Sequence, residues 1–204
     1  MSNRFGLSAY GAALAVFVGA VGVGAQAPAG PPQGAAPAPA QSVAVANPTY
    51  TTIVLEKEVS RPAAEVWKRV GKYCDIGEWL RVACTITAGK DGEVGAVRSV
   101  ANEVLVGKTD LSYTYTQPVR EGRPYNLYHG TLEARPVTAT TSKLVYTLMW
   151  DNSMLADDAA RERDRTQRTT MFTGALDNMK ILAEGGTLPP APARGGGGGR
   201  GRGN

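Results

Sequence analysis

The amino-acid sequence predicts an α+β fold, in which a curved antiparallel sheet of about six to seven strands wraps around a long C-terminal helix. Two observations support this fold class. Runs of alternating apolar and polar residues recur through residues 51–151, separated by glycine or threonine turns, as in an antiparallel meander. An apolar stripe then recurs at helical spacing up to Gly185 and Gly186, which suit a helix C-terminus. The predicted element order is therefore β-α-α-β(n)-α.

The predicted domain opens with one strand and two short helices. Residues 51–59 alternate, which predicts a strand with one mostly apolar face. Ser60 and Pro62 suit the N-terminus of a first helix, with Ser60 as its N-cap, and Gly71 suits its end. A second short helix is expected over residues 74–80.

The rest of the predicted domain is a run of strands followed by the closing helix. The expected strands are 82–88, 96–101, 103–106, 110–117, 125–137 and 142–151, with a turn near Gly107. The closing helix is expected from about Ala156 to Gly185. Its stripe should face the sheet and contains Thr169, Phe172, Leu176, Met179 and either Leu182 or Ala183.

Residues 1–27 predict a secretory signal peptide. Arg4 is followed by an uncharged run of small and apolar residues that ends in Ala25-Gln26-Ala27, with small residues at the two positions that signal peptidase recognises. We therefore expect cleavage after Ala27 and a periplasmic or secreted protein without a stable membrane span. A membrane anchor is the alternative, because the run approaches the roughly 20 residues that span a bilayer.

Two low-complexity segments flank the predicted domain at 49–186. Residues 28–48 form an Ala/Pro-rich linker and residues 187–204 a Pro/Gly/Arg-rich tail, and neither composition can bury enough apolar surface to fold. Arg4 and the three arginines of the tail account for the whole net charge of +4. The basic pI of 9.1 therefore belongs to the termini. We expect no nucleic-acid partner for the domain.

Cys74 and Cys84 are the only cysteines, an even number in a chain predicted to be exported. A disulfide between them is expected, and the alternative is two buried free thiols. Two cysteines and the single histidine have no metal-ligand spacing, so we expect no metal site. We expect no other cofactor either.

Several segments resemble the SRPBCC (START-like, polyketide cyclase/dehydrase) superfamily. The resemblance covers about 51–184 and rests on VSRPAAEVWKRVGKYCDIGEWL at 59–80, GEVGAVRSV at 92–100, LSYTYTQP at 111–118 and YHGTLEARPV at 128–137. It implies a helix-grip (START-like) fold with a ligand cavity between the sheet and the C-terminal helix. Because the superfamily contains lipid and hormone binders as well as cyclases, the resemblance implies the fold more specifically than the function.

Strand alternation predicts which side chains face that cavity. The resemblance to the superfamily's hormone receptors places Leu111, Tyr113, Tyr128, Gly130 and Tyr146 at pocket-facing positions, in agreement with the alternation. Buried phenols need hydrogen-bond partners, which are either a ligand or one another. The full set of candidate pocket residues is Arg98, Leu111, Tyr113, Tyr115, Tyr128, Gly130, Leu132, Tyr146, Leu148, Trp150, Phe172, Leu176 and Met179.

The charged residues of the predicted sheet give no recognisable catalytic constellation. Arg98 is a carboxylate anchor if its side chain faces inward, and an exposed strand arginine is the alternative. His129, the only histidine, is expected to face outward. Glu103, Glu133 and Asp151 form no recognisable carboxylate pair. The catalytic residues are therefore unknown at this level.

These observations predict an exported protein that holds an apolar or amphipathic small molecule, such as a lipid, quinone or aromatic metabolite, as a carrier or sensor. One alternative is a polyketide cyclase- or hydrolase-like enzyme that uses the same tyrosine-lined pocket. Another is an envelope interaction domain with a filled core. Polar groups that converge in a wide cavity would favour the enzyme, and a collapsed core would favour the interaction domain.

Overall fold

The computed structural model describes residues 45–190 of the chain. The predicted signal peptide and most of the predicted linker and tail lie outside these residues. Within residues 45–190, no helix has both the length and the apolar character needed to cross a membrane. The elements are β1 (Tyr50–Val59), α1 (Ala63–Val70), α2 (Ile76–Trp79), β2 (Ile86–Ala88), β3 (Val97–Arg98), β4 (Glu103–Thr109), β5 (Ser112–Thr116), β6 (Asn126–Pro136), β7 (Ser142–Asp151) and α3 (Asp158–Ala183).

The strands form one antiparallel sheet in the order β1-β7-β6-β5-β4-β3-β2. After β1, the chain passes through α1 and α2 to the opposite edge and then returns strand by strand until β7 lies beside β1. The β1–β7 ladder is regular from the Tyr50–Asp151 pair to the Val59–Ser142 pair. The predicted α+β fold with an antiparallel meander is confirmed.

Helix α3 packs its apolar stripe against the sheet. The Asp157 side chain accepts a hydrogen bond of 2.6 Å from the Ala160 N–H and caps the helix N-terminus. Tyr146 of β7 meets Phe172 of α3 edge to face, with ring centroids 4.8 Å apart. Full burial of each large apolar side chain contributes about 1.5–3 kcal/mol. The buried residues of α3 are Phe172, Ala175, Leu176, Met179 and Leu182. Four of them belong to the predicted stripe, whereas Ala175 does not and Thr169 of the stripe is only half-buried.

The predicted N-cap of the first helix is wrong. Helix α1 has Pro62 at the N-cap position and no side-chain cap, because Ser60 lies two residues too early. The Ser60 N–H instead donates to Oε1 of Glu184 at 2.8 Å, which links the start of α1 to the end of α3.

Strands β2 and β3 are shorter than predicted, because the chain turns at residues with positive φ. Arg81 has φ 59° and separates α2 from β2, which begins only at Ile86. Ala101 and Asn102 have φ 52° and 54°, so they form the tight turn between β3 and β4. Both short strands lie at one edge of the sheet.

Strand β4 continues through the turn that the sequence predicts near Gly107. The pairing with β5 shifts between Leu105 and Gly107, as in a β-bulge that absorbs one extra residue. The hairpin turn therefore comes later, between Thr109 and Ser112. This shift sets which side chains of the β4–β5 hairpin face the body of the protein.

Candidate functional site

The space between the sheet and α3 is filled by the predicted pocket residues. All of them are buried except Leu111, which is half-buried in the turn between β4 and β5. They pack as an aromatic core. The ring centroids of Tyr115 and Tyr128 lie 6.3 Å apart, and those of Tyr128 and Trp150 are also 6.3 Å apart. Within residues 45–190 these side chains therefore occupy the interior to which the resemblance assigns a ligand.

Two tyrosine hydroxyls at the centre of this core satisfy each other. The Oη atoms of Tyr115 and Tyr146 lie 2.8 Å apart. The Tyr115 ring lies over the backbone of Gly130 on the neighbouring strand, so closely that a Cβ atom at Gly130 would overlap it. Gly130 thus makes room for a ring, and the hydroxyl pair places that ring.

We expect Gly130→Ala to lower the free energy of unfolding by about 1–3 kcal/mol, because the added methyl group displaces the Tyr115 ring and strains its bond to Tyr146. Urea denaturation monitored by circular dichroism measures this change. Gly174→Ala is the matched control, because no atom lies within 4 Å of its Cβ position. In the middle of α3, alanine should stabilise by up to about 1 kcal/mol. Equal midpoints for Gly130→Ala and the unsubstituted chain would contradict the expectation.

A buried ion pair joins β3 to β4. Arg98 is fully buried and its Nε donates to Oε2 of Glu103 at 2.6 Å, while its Nη1 donates to the Tyr73 carbonyl at 2.5 Å. Gln117 donates to the second Glu103 oxygen at 2.8 Å, and the Tyr125 hydroxyl donates to Gln117 at 2.7 Å. The alternative of an exposed Arg98 is therefore wrong.

The sequence reading missed the partner of Arg98. Arg98 and Glu103 are opposite each other in the β3–β4 ladder, across the turn at Ala101 and Asn102. Opposite charges on the two sides of a tight turn are the one signal in the sequence that points to this pair.

Three tyrosine rings surround the Arg98 guanidinium. Its Cζ lies 4.3 Å from the ring centroid of Tyr73, 4.7 Å from that of Tyr115 and 5.7 Å from that of Tyr113. Burial raises the pKa of Tyr73 and of Tyr113 above the ordinary value of a phenol, although the nearby Arg98 opposes this. Both phenols are therefore neutral hydrogen-bond donors at neutral pH.

A cavity of about 300 Å³ lies beside this cluster, next to α1. Its wall contains three aromatic rings, with the Tyr113 centroid 5.6 Å from that of Trp67 and 5.5 Å from that of Tyr73. Of the predicted pocket residues, Tyr113 borders it. The lining residues are Trp67, Gly71, Lys72, Tyr73, Asp91, Gly92, Leu105, Lys108, Thr109, Ser112 and Tyr113.

Three polar atoms behind this wall have no hydrogen-bond partner within residues 45–190. They are Oη of Tyr73, Oη of Tyr113 and Nη2 of Arg98. Nη2 lies 2.5 Å from Oε2 of Glu103, but its approach is not aligned for a hydrogen bond. A buried polar group without a partner costs about 1–3 kcal/mol.

A second guanidinium lies in a separate aromatic cage. Arg168 of α3 is 4.6 Å from the ring centroid of Tyr125, 5.2 Å from that of Tyr128 and 4.8 Å from that of Trp150. Its Nε donates to Asp164 at 3.0 Å, and the same carboxylate accepts the Trp150 indole N–H at 2.8 Å. We call Tyr125, Tyr128 and Trp150 the Arg168 cage.

The remaining titratable residues that the sequence singled out, His129, Glu133 and Asp151, have separate surroundings. His129 is half-buried on β6, and burial lowers its pKa. Glu133 pairs with the neighbouring Arg135 at 2.9 Å, and Asp151 accepts the Thr49 N–H at 2.8 Å. In the part of the chain that the structure describes, no three His, Cys, Asp or Glu residues gather as metal ligands.

The structure places the two cysteines side by side. The Cα atoms of Cys74 and Cys84 are 5.5 Å apart, and their Sγ atoms are at bonding distance. The contact joins the segment just before α2 to the segment just before β2, close to Tyr73 and the ion pair.

No protein-family model matches the chain, and no curated protein matches it in sequence. Solved structures do match. A protein from Thermobifida fusca, solved by NMR, is 25% identical, with 68% of this chain and 97% of that chain covered and a TM-score of 0.56. The ZhuI aromatase/cyclase from a Streptomyces species is 17% identical, over 68% and 100% of the two chains, with a TM-score of 0.52.

Truncated norcoclaurine synthase from Thalictrum flavum gives a similar match, at 12% identity over 71% of this chain and 99% of that chain, with a TM-score of 0.53. Together with the sheet order and the position of α3, these likenesses define the chain as a protein with the helix-grip fold. At such low identity, the matches to the cyclase and the synthase show the fold alone.

Proposed function

We propose that this chain is a member of the SRPBCC superfamily that binds an apolar or amphipathic small molecule in the cavity beside α1. The supporting observation is a cavity of about 300 Å³ with the rings of Trp67, Tyr73 and Tyr113 in its wall. Ligand pockets in proteins are typically apolar and aromatic clefts of about 300–1,000 Å³. The proposed site therefore has the size and the lining of a site for a small aromatic molecule.

The rim and the wall of the cavity differ in polarity, which fits an amphipathic ligand. Leu105 and the three rings supply an apolar wall, while Lys72, Lys108 and Asp91 also border the cavity. The Lys108 ammonium donates to the Gly92 carbonyl at 2.7 Å and so ties β4 to the β2–β3 loop at the rim. A ligand would bury its ring system and leave a polar end near these charges.

The filled interior supports a second candidate function, an envelope interaction domain. In that case the fold serves as a packed scaffold and the cavity beside α1 holds no ligand. We also propose that the protein is exported, on the basis of residues 1–27 and the adjacent cysteines.

Replacement of Trp67 distinguishes these candidates. We expect the purified chain to bind the bicyclic ketone 1-tetralone, and Trp67→Leu to weaken this binding roughly tenfold, because an aromatic wall is lost. Isothermal titration calorimetry measures both affinities. Tyr50→Leu is the matched control, because Tyr50 is an aromatic residue that is 53% exposed on β1. Absence of binding, or equal affinities for the chain and Trp67→Leu, would favour the interaction domain.

A further inference from the structure

The unpaired polar atoms beside the cavity belong to one cluster. Arg98 lies over the Tyr73 ring at 4.3 Å and near the Tyr113 ring at 5.7 Å, and the two rings meet edge to face at 5.5 Å. The hydroxyls of Tyr73 and Tyr113 have no hydrogen-bond partner within residues 45–190. Nη2 of Arg98 has no aligned hydrogen bond either, although it lies 2.5 Å from Oε2 of Glu103. A guanidinium only donates hydrogen bonds, and a protonated phenol has one proton to donate. The cluster therefore lacks an acceptor.

The charge of the cluster is already balanced. Glu103 holds Arg98 at 2.6 Å, and Gln117 satisfies the other carboxylate oxygen. Tyr73 and Tyr113 carry no charge at neutral pH, because the ordinary pKa of a phenol lies near 10 and burial raises it further. A ligand carboxylate would add an uncompensated negative charge at a buried position, which is costly. A neutral acceptor would complete the hydrogen bonds without that cost.

We propose that the ligand carries a neutral hydrogen-bond acceptor, such as a ketone, quinone or amide carbonyl, and that the hydroxyls of Tyr73 and Tyr113 donate hydrogen bonds to it beside Arg98. This inference rests on the proposed small-molecule function and deepens it by naming the chemical class of the ligand. It assigns Tyr73 and Tyr113 to ligand binding and leaves the Arg98–Glu103 pair as the fixed support behind them.

The binding step requires a small movement. The hydroxyl oxygens of Tyr73 and Tyr113 have almost no solvent-accessible surface, although both residues border the cavity. The rings of Tyr73 and Tyr113 must therefore turn before a carbonyl in the cavity can reach their hydroxyls. In the closed arrangement both hydroxyls lack a partner, and the hydrogen bond gained on binding offsets the cost of turning the ring.

Three matched bicyclic probes test the proposal. They are 1-tetralone, which has a ketone; tetralin, which lacks an acceptor; and 1-naphthoate, which has a carboxylate. We expect the purified chain to bind 1-tetralone roughly tenfold more tightly than tetralin at neutral pH, because one hydrogen bond contributes about 1 kcal/mol or more. The carboxylate should bind more weakly than the ketone. Ligand-observed NMR titration measures all three affinities.

The variants Tyr73→Phe and Tyr113→Phe test whether these two hydroxyls cause the preference for 1-tetralone over tetralin. Each variant should lose roughly fivefold in affinity for 1-tetralone and nothing for tetralin, because only the hydroxyl is removed. Both variants should fold, since neither hydroxyl has a hydrogen bond to lose, and thermal melting checks this. Tyr50→Phe is the control for a hydroxyl on a distant exposed tyrosine.

The outcomes separate the two proposals. Equal affinities for 1-tetralone and tetralin, both weakened by Trp67→Leu, would overturn the acceptor class and leave the small-molecule function standing. Tighter binding of 1-naphthoate, unaffected by both phenylalanine variants, would also overturn it and would assign recognition to the rim lysines. Failure of all three probes to bind would overturn both proposals.

Discussion

Arg98→Met is expected to lower the free energy of unfolding by about 3–5 kcal/mol, because it leaves the Glu103 carboxylate buried without its partner. Arg98 is 0% exposed and Glu103 is 3% exposed, so water cannot replace the lost contact without local opening of the fold. Arg98 also joins β3 to the Tyr73 carbonyl, which loses its donor. Denaturant unfolding at neutral pH measures the loss.

Two control variants test whether burial causes this effect. Arg69 and Glu78 form a similar pair at 2.7 Å, but their side chains are 42% and 47% exposed. Arg69→Met should therefore lower the free energy of unfolding by only about 0–1 kcal/mol. The double variant Arg98→Met with Glu103→Gln should recover much of the loss, because it removes both charges. If Arg98→Met costs no more than Arg69→Met, the buried pair does not contribute as described.

Reduction of the predicted Cys74–Cys84 disulfide is the second large effect. We expect the loss of about 2–5 kcal/mol of stability, because the bond joins two short segments that have little regular structure of their own. Thermal melting with and without a reductant measures the difference. The intact mass of the unreduced protein should show the loss of two hydrogen atoms.

A double serine variant at these positions provides the control. Cys74→Ser with Cys84→Ser should melt at the temperature of the reduced protein and should not respond to the reductant. Two free thiols in protein secreted from an expressing bacterium would show that the bond does not form there. That result would also remove one of the two supports for export.

Strand alternation predicted the long strands well. Strand β7 spans Ser142–Asp151, which is the expected range. Strand β1 begins one residue earlier than expected, and β6 is one residue shorter than expected at each end. Each of these strands has one buried face, so a shift of one residue would expose a whole apolar row. The pattern therefore specifies both the strand and its register.

Strand alternation could not predict the surroundings of Arg98. Strand β3 contains only Val97 and Arg98, and two residues cannot show a period. The orientation of Arg98 depends on the tight turn at Ala101 and Asn102, where two non-glycine residues adopt positive φ. Ala101 and Asn102 predict such a turn less clearly than glycine would.

Strand alternation could not predict the location of the cavity either. Alternation showed which tyrosines face inward, but it could not show whether α3 lies close enough to fill the space between them, which depends on tertiary packing. The aromatic wall beside α1 includes Trp67 of α1 and Tyr73, neither of which is among the predicted pocket residues. Tyr73 lies in the short segment between α1 and α2, where no periodic pattern shows which way a side chain faces.

The Arg168 cage has a consequence for ligand selectivity. Aromatic cages recognise quaternary ammonium ligands when they stand open to solvent. Here the cation is the Arg168 guanidinium of the chain itself, which Asp164 holds beside the rings. Because it is tethered, its effective concentration at the rings is high. A choline-like molecule would have to compete with a tethered guanidinium that never diffuses away. The cage is therefore occupied by a cation of the chain itself, and an external cation could contact its rings only by displacing Arg168.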